Sequence, residues 1–399
     1  MTAADRCQVS ASQVEDIYPC TPLQEGLVAL AIKKPGKYIA TFEYEIAADI
    51  CLDQFQTAWN ATVTANPILR TRIVPFDSGT FQVVVGKSIV WNFYDTEVSY
   101  TKLVKTLTMD MGEELVHFGV IKSEANPRKG FKFHLTLHHA LYDGSSLSLL
   151  WSQVHKAYHK EPLLTRPFNR FIEHILPTKS NEDFWRSEFA DLSAPVFPVL
   201  QSPLFIPSPT SSLSHVISDF NHTMTNYTTS TLIRMAWAII MSSYTDSEDV
   251  VYGLTVNGRS APLPGIEDLT GPTFATFPVR VHVRPGDSVG AALSLVQQKA
   301  IDMIPFQHCG LQNIRQFNEN TAAACSFQCH LAIQAPARFG DAGIFSSVQS
   351  KHEDYGAFAN YAFVIICHLP ERSQPNDIIV SVSYDERVVQ PLEATRMVQ

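Results

Sequence analysis

One stretch constrains this chain more than any other: residues 131–158, FKFHLTLHHALYDGSSLSLLWSQVHKAY. Phe131, Phe133, Leu135 and Leu137 alternate with Lys132, His134 and Thr136, and this period of two predicts a half-buried strand. Further on, Leu147, Leu150, Trp151, Val154 and Tyr158 fall at helical spacing, with Ser145 or Ser146 placed to cap the helix start. Between strand and helix lie His138, His139 and the Asp143-Gly144 pair. If strand geometry persists through the histidines, successive side chains point to opposite faces. His139 then shares the face of Phe131 to Leu137, and His138 turns the other way. The two histidines should therefore have different jobs.

Histidine is the usual general base because its pKa lies near neutrality. At the end of a strand it is held by the scaffold rather than by a loose loop. An aspartate four residues on can brace the turn if it finds a cation, and glycine permits a tight backbone there. On residue chemistry alone, HHxxxDG fits one imidazole fixed in a cleft, and equally two structural histidines beside a polar turn.

A chain of 399 residues exceeds one typical core and points to two domains of ordinary size. At 45% apolar and 17% charged it reads as globular, and a net charge of -9 argues against a nucleic-acid partner. Seven scattered cysteines make neither a disulfide framework nor a CxxC pair, so no structural metal is expected, and the odd count fits a reducing compartment. The first residues lack a basic segment followed by an apolar one, which excludes a secretory signal. The sequons at Asn60, Asn221 and Asn226 are then chance matches. The longest apolar run, around residues 233–241, is interrupted by Arg234 and reads as a buried helix rather than a membrane span. A cytoplasmic location follows as the expectation.

Helices alternate with strands along the whole chain, an α/β or α+β pattern. A proline-led helix follows residue 21. Residues 38–46 predict a strand, 52–65 a helix, 69–74 a strand, 81–85 a strand, 100–111 a helix and 118–121 a strand. Proline recurs at 162, 167, 177, 195, 198, 203, 207 and 209, which marks a connector with one amphipathic piece at 181–189. The competing reading is a long ordered loop system inside one domain. Beyond it, strands are predicted at 215–220, 250–256, 274–283, 326–333, 361–368 and 378–383, and helices at 229–244 and 289–303. The final PLEATRMVQ has the look of a helix cut short. Strand-helix-strand at 38–74 is echoed at 215–256 without residue-level similarity.

HHALYDG matches the HHxxxDG motif of the condensation domains of nonribosomal peptide synthetases, and it has company. PCTPLQEGL at 19–27 resembles the opening motif of that family in its fungal form, and NPILRTR at 66–72 resembles the second. GLTVNGRSAPLPGIEDLTGPTFATFPVRV at 253–281 is similar to the fifth, and IPFQHCGLQ at 304–312 to the sixth. The ordered matches run from about residue 17 to the end. Two features depart from the pattern: Ala275 stands where the fifth motif usually has asparagine, and the arginine-rich seventh motif is not recognisable.

The resemblance implies two chloramphenicol-acetyltransferase-like subdomains forming a V-shaped pseudo-dimer with a tunnel between them. Residues 1–175 would be the first half, 176–214 a connector and 215–399 the second half. It implies amide formation by amine attack on a carrier-bound peptidyl thioester, with His139 catalytic and His138, Asp143 and Gly144 in support. Arg259 would be the ion partner of Asp143. No cofactor is expected in the domain itself, because the substrate rides on the phosphopantetheine of a peptidyl carrier protein. The partners implied are that carrier and its peptide, with no nucleic acid and no membrane, in a monomeric domain of a multimodular synthetase. Terminal macrocyclisation is favoured slightly over joining two carrier-bound substrates, because no downstream module follows. The terminal type often carries serine for the first histidine, unlike His138 here. Two alternatives stay open. One is a CoA-dependent HxxxD acyltransferase, whose second signature, DFGWG, is partly echoed by Asp354-Tyr355-Gly356-Ala357-Phe358. The other is a degenerate condensation domain serving as a recruitment platform.

Overall fold

The computed structural model describes residues 1–33, 36, 38–122, 130–164, 166–220, 226–335, 343–350, 360–370 and 377–399, with backbone alone at 346–350. The chain forms two compact units. The first comprises Met1–Ile175, Leu263–Thr273 and Ala337–Ala357; the second comprises Leu176–Pro262, Phe274–Pro336 and Phe358–Gln399. The partial echo at 354–358 and the sequon at Asn221 lie outside the described residues.

The first unit contains β1 (Val14–Pro19), β2 (Ile39–Ile46), β3 (Thr71–Phe76), β4 (Gly79–Val85), β5 (Trp91–Tyr94), β6 (Val116–Lys122) and β7 (Phe131–His138). The second unit supplies β8 (Ser211–Ile217), β9 (Asp249–Val256), β10 (Ala275–His282) and β11 (Cys329–Gln334). Next, β12 (Phe345–Ser350) belongs to the first unit, and β13 (Phe363–His368) and β14 (Ile378–Tyr384) to the second.

In the first unit a five-stranded sheet runs β12-β2-β7-β6-β5, with β7 in the middle, and a three-stranded sheet runs β1-β4-β3. β7 is antiparallel to both neighbours, placing Leu137 opposite Ala40 on one side and Val116 on the other. The odd residues of β7 enter an aromatic core: Phe133 lies 5.2 Å from Phe55, 5.3 Å from Trp59 and 6.1 Å from Trp151 between ring centroids. Such tilted and edge-on pairs suit the ring quadrupole, and burying each side chain contributes about 2 kcal/mol, which holds the strand in register.

The opposite face corrects the expectation of a half-buried strand: only Lys132 on β7 keeps appreciable exposure. Two of the polar residues there, Thr136 and Lys132, are met by partners from elsewhere in the chain. Thr136 Oγ1 lies 3.0 Å from Thr41 Oγ1 and 2.6 Å from the Tyr100 hydroxyl, and Lys132 Nζ lies 2.6 Å from Glu43 Oε1.

The second unit holds one six-stranded sheet, β10-β9-β11-β13-β14-β8, with β11 parallel to β9 and β13 and the other pairs antiparallel. Helices Thr229–Thr245 and Val289–Asp302 match the expected segments closely. The amphipathic piece expected at 181–189 is helix Lys179–Glu188, whose Trp185 is fully buried in this unit's core beside Phe189. Gly253 on β9 has a clear steric reason, since a Cβ there would sit 2.0 Å from the Phe327 ring. The element echo holds as order but not as topology, because β2 and β3 lie in different sheets whereas β8 and β9 share one.

Two boundaries differ from expectation. Residues 67–70 form a 3-10 turn led by Pro67, and β3 begins only at Thr71. The helix expected at 100–111 is Glu97–Val104, capped by Thr96, and Met109 at φ 48° lies outside helical space. The strand β1, with its alternating exposure and acidic residues, carries too little apolar pattern to read in advance. Among the described residues no helix is long and apolar enough to cross a membrane.

Candidate active site

The strand geometry of β7 stops at His138, where the backbone is still extended, and residues His139–Leu141 turn into a 3-10 helix. The face alternation therefore does not carry through the pair, which corrects the parity argument for His139. His139 is aimed instead by local bonds. Its Nδ1 lies 3.1 Å from the Tyr142 carbonyl oxygen, and its ring stacks on the Tyr142 ring at 4.7 Å between centroids and 17° between planes. A carbonyl only accepts, so Nδ1 carries the hydrogen and the lone pair sits on Nε2; the tautomer is assigned from this partner. Tyr142 is itself buried and meets Phe42 edge-on at 5.7 Å.

His138 is 2% exposed and takes the complementary tautomer, because its Nδ1 accepts the Ala140 N–H at 3.1 Å. The turn is held at both ends. His138 N–H donates to the Leu115 carbonyl at 3.0 Å and His139 N–H to the Tyr38 carbonyl at 2.7 Å. From below, the fully buried Gln24 reaches up from helix Pro22–Lys33 and donates through Nε2 to the Ala140 carbonyl and to Gln82 Oε1, both at 2.9 Å. Gln24 is fixed in turn, since its Oε1 accepts the Thr21 N–H at 2.8 Å in a capping box.

Asp143 is the N-cap of helix Gly144–Tyr158, not Ser145 or Ser146. Its Oδ1 accepts the Ser146 N–H and hydroxyl, each at 2.7 Å, and Oδ2 accepts the Thr273 N–H at 3.0 Å and hydroxyl at 2.9 Å. The Ser146 Oγ also accepts the Gly271 N–H at 3.0 Å. The fifth-motif segment 263–273, part of the first unit, is thus seated on the helix cap. Gly271 must be glycine: its φ is 130°, and a Cβ would lie 2.4 Å from the Phe168 ring. Thr270 Oγ1 bonds Asn66 Oδ1, and Asn66 Nδ2 bonds Gln153 Oε1, tying the second motif to the same helix.

Gly144 does not serve a tight backbone, contrary to expectation. Its φ is not in the left-handed region, and a Cβ would meet no heavy atom within 4 Å. What the glycine leaves is open space beside the turn. Arg259 lies in the second unit, in the turn after β9, where its N–H donates to Asn257 Oδ1 at 3.1 Å. Ala275 is buried in that unit's apolar core. The structure therefore gathers His138, His139 and Asp143 on one turn of the first unit, while Arg259 belongs to the other.

Sequence reasoning missed Gln24, Gln82, Tyr142 and Thr273, and it named Ser146 only as a possible helix cap rather than as the partner of Asp143. Gln24 and Ser146 carried a readable signal, the capping-box spacings Thr21-x-x-Gln24 and Asp143-x-x-Ser146. Tyr142 acts on His139 from three residues away, whereas Gln82 and Thr273 act through bonds distant in sequence, which spacing does not encode. A metal-type grouping also exists outside the turn: one ligand atom each of Glu43, Glu97 and His134 lie within 4.8 Å of one another. A metal there would compete with the Lys132 ammonium, which already sits 2.6 Å from Glu43 and 2.9 Å from Glu97.

The electrostatics of the pair follow from burial. Desolvation pulls His138 down to about 4, with the neighbouring His139 adding to it. Desolvation also lowers His139, opposed by its bond to the Tyr142 carbonyl, its own backbone and the charge of Asp143. Both imidazoles are neutral at pH 7.

Known proteins resemble this chain along most of its length. The model of the family described as "Condensation domain" matches residues 14–386. The nonribosomal peptide synthetase dtpA of Aspergillus flavus is 39% identical over 399 residues, covering 96% of this chain and 15% of that protein. The synthetase ungA' of Aspergillus campestris is 38% identical over 404 residues, covering 99% and 4%. The chain thus spans a small fraction of the curated relatives it matches. A crystal structure described as holo T3CT superposes with a TM-score of 0.75 at 22% identity, covering 96% of this chain and 89% of that one.

A pH dependence of stability follows from His138. Its folded pKa lies below the ordinary 6.5, so the unfolded chain takes up the proton first and stability falls as pH drops from 6.5 toward 4. The shift corresponds to about 3 kcal/mol lost across that window. His138→Asn keeps an acceptor for the Ala140 N–H but cannot titrate. In urea denaturation at several pH values, this variant should lose visibly less stability between pH 6.5 and 4 than the wild type. Equal losses would show that His138 is not the group responsible.

Proposed function

The chain belongs to the condensation-domain family of nonribosomal peptide synthetases, and from that premise we propose that it joins an amine to an acyl or peptidyl group carried as a thioester on a carrier protein. The observation that carries the reading is the geometry of His139, whose Nδ1 lies 3.1 Å from the Tyr142 carbonyl and so leaves Nε2 as the basic nitrogen of the ring. The amine nitrogen attacks the thioester carbonyl, forming the C–N bond, and His139 Nε2 takes the proton that the nitrogen sheds. The C–S bond then breaks, and the proton passes to the departing phosphopantetheine sulfur, leaving a free thiol. A base in this role needs a pKa near or below neutrality and a fixed direction, and both features are supported by the turn's geometry.

His138 is the structural member of the pair, with its Nδ1 committed to the Ala140 N–H. Asp143 supports the turn as the helix cap, and Gly144 keeps space open for substrate next to it. Arg259 enters as a supporting residue through the fifth-motif resemblance. The carrier, a thiolation domain, is the partner protein. Within this reaction class, terminal cyclisation and release is the finer reading. Its support is the likeness in fold to the structure described as holo T3CT, where we read T as thiolation and CT as terminal condensation.

A carrier protein loaded with a peptidyl arm tests the assignment. His139→Ala should keep the wild-type melting temperature and lose a factor of ~10²–10⁴ in product formation. Mass spectrometry of the product separates cyclised from linear or intermolecular amide. Near-normal turnover in the folded variant contradicts the role of His139, and linear condensation alone contradicts the cyclising reading.

Carrier and CoA share the phosphopantetheine arm, so the discriminating contact lies beyond it. The chain carries a net charge of -9 and no glycine-rich phosphate cradle for the 3′-phosphate of CoA. A carrier-bound donor should have a much larger kcat/KM than the same acyl group on CoA. Equal values would favour the CoA-dependent acyltransferase, and no turnover with either would favour the recruitment platform.

A further inference from the structure

Arg234 interrupts the most apolar helix of the chain, and the second unit shows what its charge faces. Helix Thr229–Thr245 buries Thr231, Arg234, Met235, Trp237, Ala238 and Met241, so the arginine stands on the core-facing stripe rather than on the solvent side. It is 8% exposed. The Tyr252 hydroxyl on β9 donates to the Arg234 carbonyl at 3.2 Å, which pins this turn of the helix against the sheet. The guanidinium itself has neither hydrogen bond nor ion pair among the described residues, and its buried Nε has no acceptor. Burial lowers its pKa, with the Tyr252 oxygen opposing, as desolvation of an uncompensated cation requires.

The side chain lines a small hollow, partly open to solvent, between β10 and helix Val289–Asp302. Arg280 and Lys299 line the same hollow with their charges met, and His282, whose pKa burial lowers, lines it as well. Arg280 reaches both oxygens of Asp249 at 2.8 Å and the carbonyls of Glu188, Ala190 and Asp191. Lys299 Nζ lies 2.7 Å from Glu188 Oε1, and His282 Nδ1 lies 3.5 Å from Asp249 Oδ1. Three cations against two carboxylates leave one positive charge, and it sits on Arg234. β10 is moreover the terminal strand of its sheet, so its outer row of amide groups has no strand partner among the described residues.

We propose that this hollow is a binding site for one small oxyanion, seated on the Arg234 guanidinium within the second unit. A guanidinium presents a planar fork that matches the two oxygens of a carboxylate or phosphate, and one unmet charge calls for one anionic group. Apolar wall residues such as Val281 and Leu295 leave no basic track for an extended polyanion. The ligand is therefore an inorganic phosphate or a small carboxylic acid, which share this oxyanion chemistry.

Isothermal titration calorimetry on the whole chain, at pH 7 and fixed ionic strength, tests the site with inorganic phosphate in one arm and acetate in the other. Saturable one-site binding is expected in at least one arm, and the arm that binds identifies the source. Arg234→Met keeps the aliphatic bulk without the charge and should weaken that binding by about tenfold or more. Absence of saturable binding in both arms overturns the proposal, as does equal affinity in the folded variant. Should the variant fail to fold, hydrogen exchange of the wild type decides. The binding anion should protect residues 279–282 and 292–303, and no added protection there overturns the site.

Discussion

The candidate site depends on one buried carboxylate. Asp143 accepts four hydrogen bonds, two from Ser146 in its own helix and two from Thr273, 130 residues away in sequence. The inner pair starts helix Gly144–Tyr158 and places the carboxylate charge against the positive end of the helix dipole. The outer pair seats the segment 263–273, whose Gly271 also bonds Ser146. A buried charge with every oxygen engaged is tolerated, whereas the same donors left without it would each bear a desolvation cost of about 1–3 kcal/mol. The turn carrying His139 ends two residues before this cap, so the direction of the imidazole inherits the rigidity of the cap.

The other end of the turn is held by different means. β7 is the middle strand of its sheet, and Gln24 grips the Ala140 carbonyl from a helix far upstream. Between these two fixtures His139 has little freedom, and its stacking on Tyr142 removes more. Reactions between a held base and a held substrate gain chiefly from such pre-organisation. The pair also divides its labour by tautomer. His138 uses Nδ1 as an acceptor toward the backbone, and His139 uses Nδ1 as a donor and keeps its basic lone pair on Nε2.

Most of the elements were legible because their apolar periodicity is strong. Helices at 52–65 and 229–244, and the strand through residues 131–137, are all in place. The site was legible as a motif but not as geometry. Alternation predicted the face of His139, yet the strand ends one residue earlier and a 3-10 turn decides the direction. The serines were assigned the cap because they abut the helix, whereas Asp143 lies one residue before it and pairs with Ser146 in a capping box. The burial of both faces of β7 could not be read from alternation, since Thr136 and Lys132 are satisfied by Thr41, Tyr100 and Glu43 from elsewhere in the chain. Gln24 and Thr273 illustrate the general limit: contacts distant in sequence leave no periodic trace.

The central claim is that His139 is a neutral imidazole with its proton on Nδ1 and its lone pair on Nε2. Nitrogen-15 chemical shifts of the ring, with the resonance assigned by comparison with His139→Ala, report this state directly. At pH 7 the account predicts a protonated-type shift for Nδ1, an unprotonated-type shift for Nε2, and a titration midpoint below 6.5. An imidazolium at pH 7, or a neutral ring with its proton on Nε2, would contradict it.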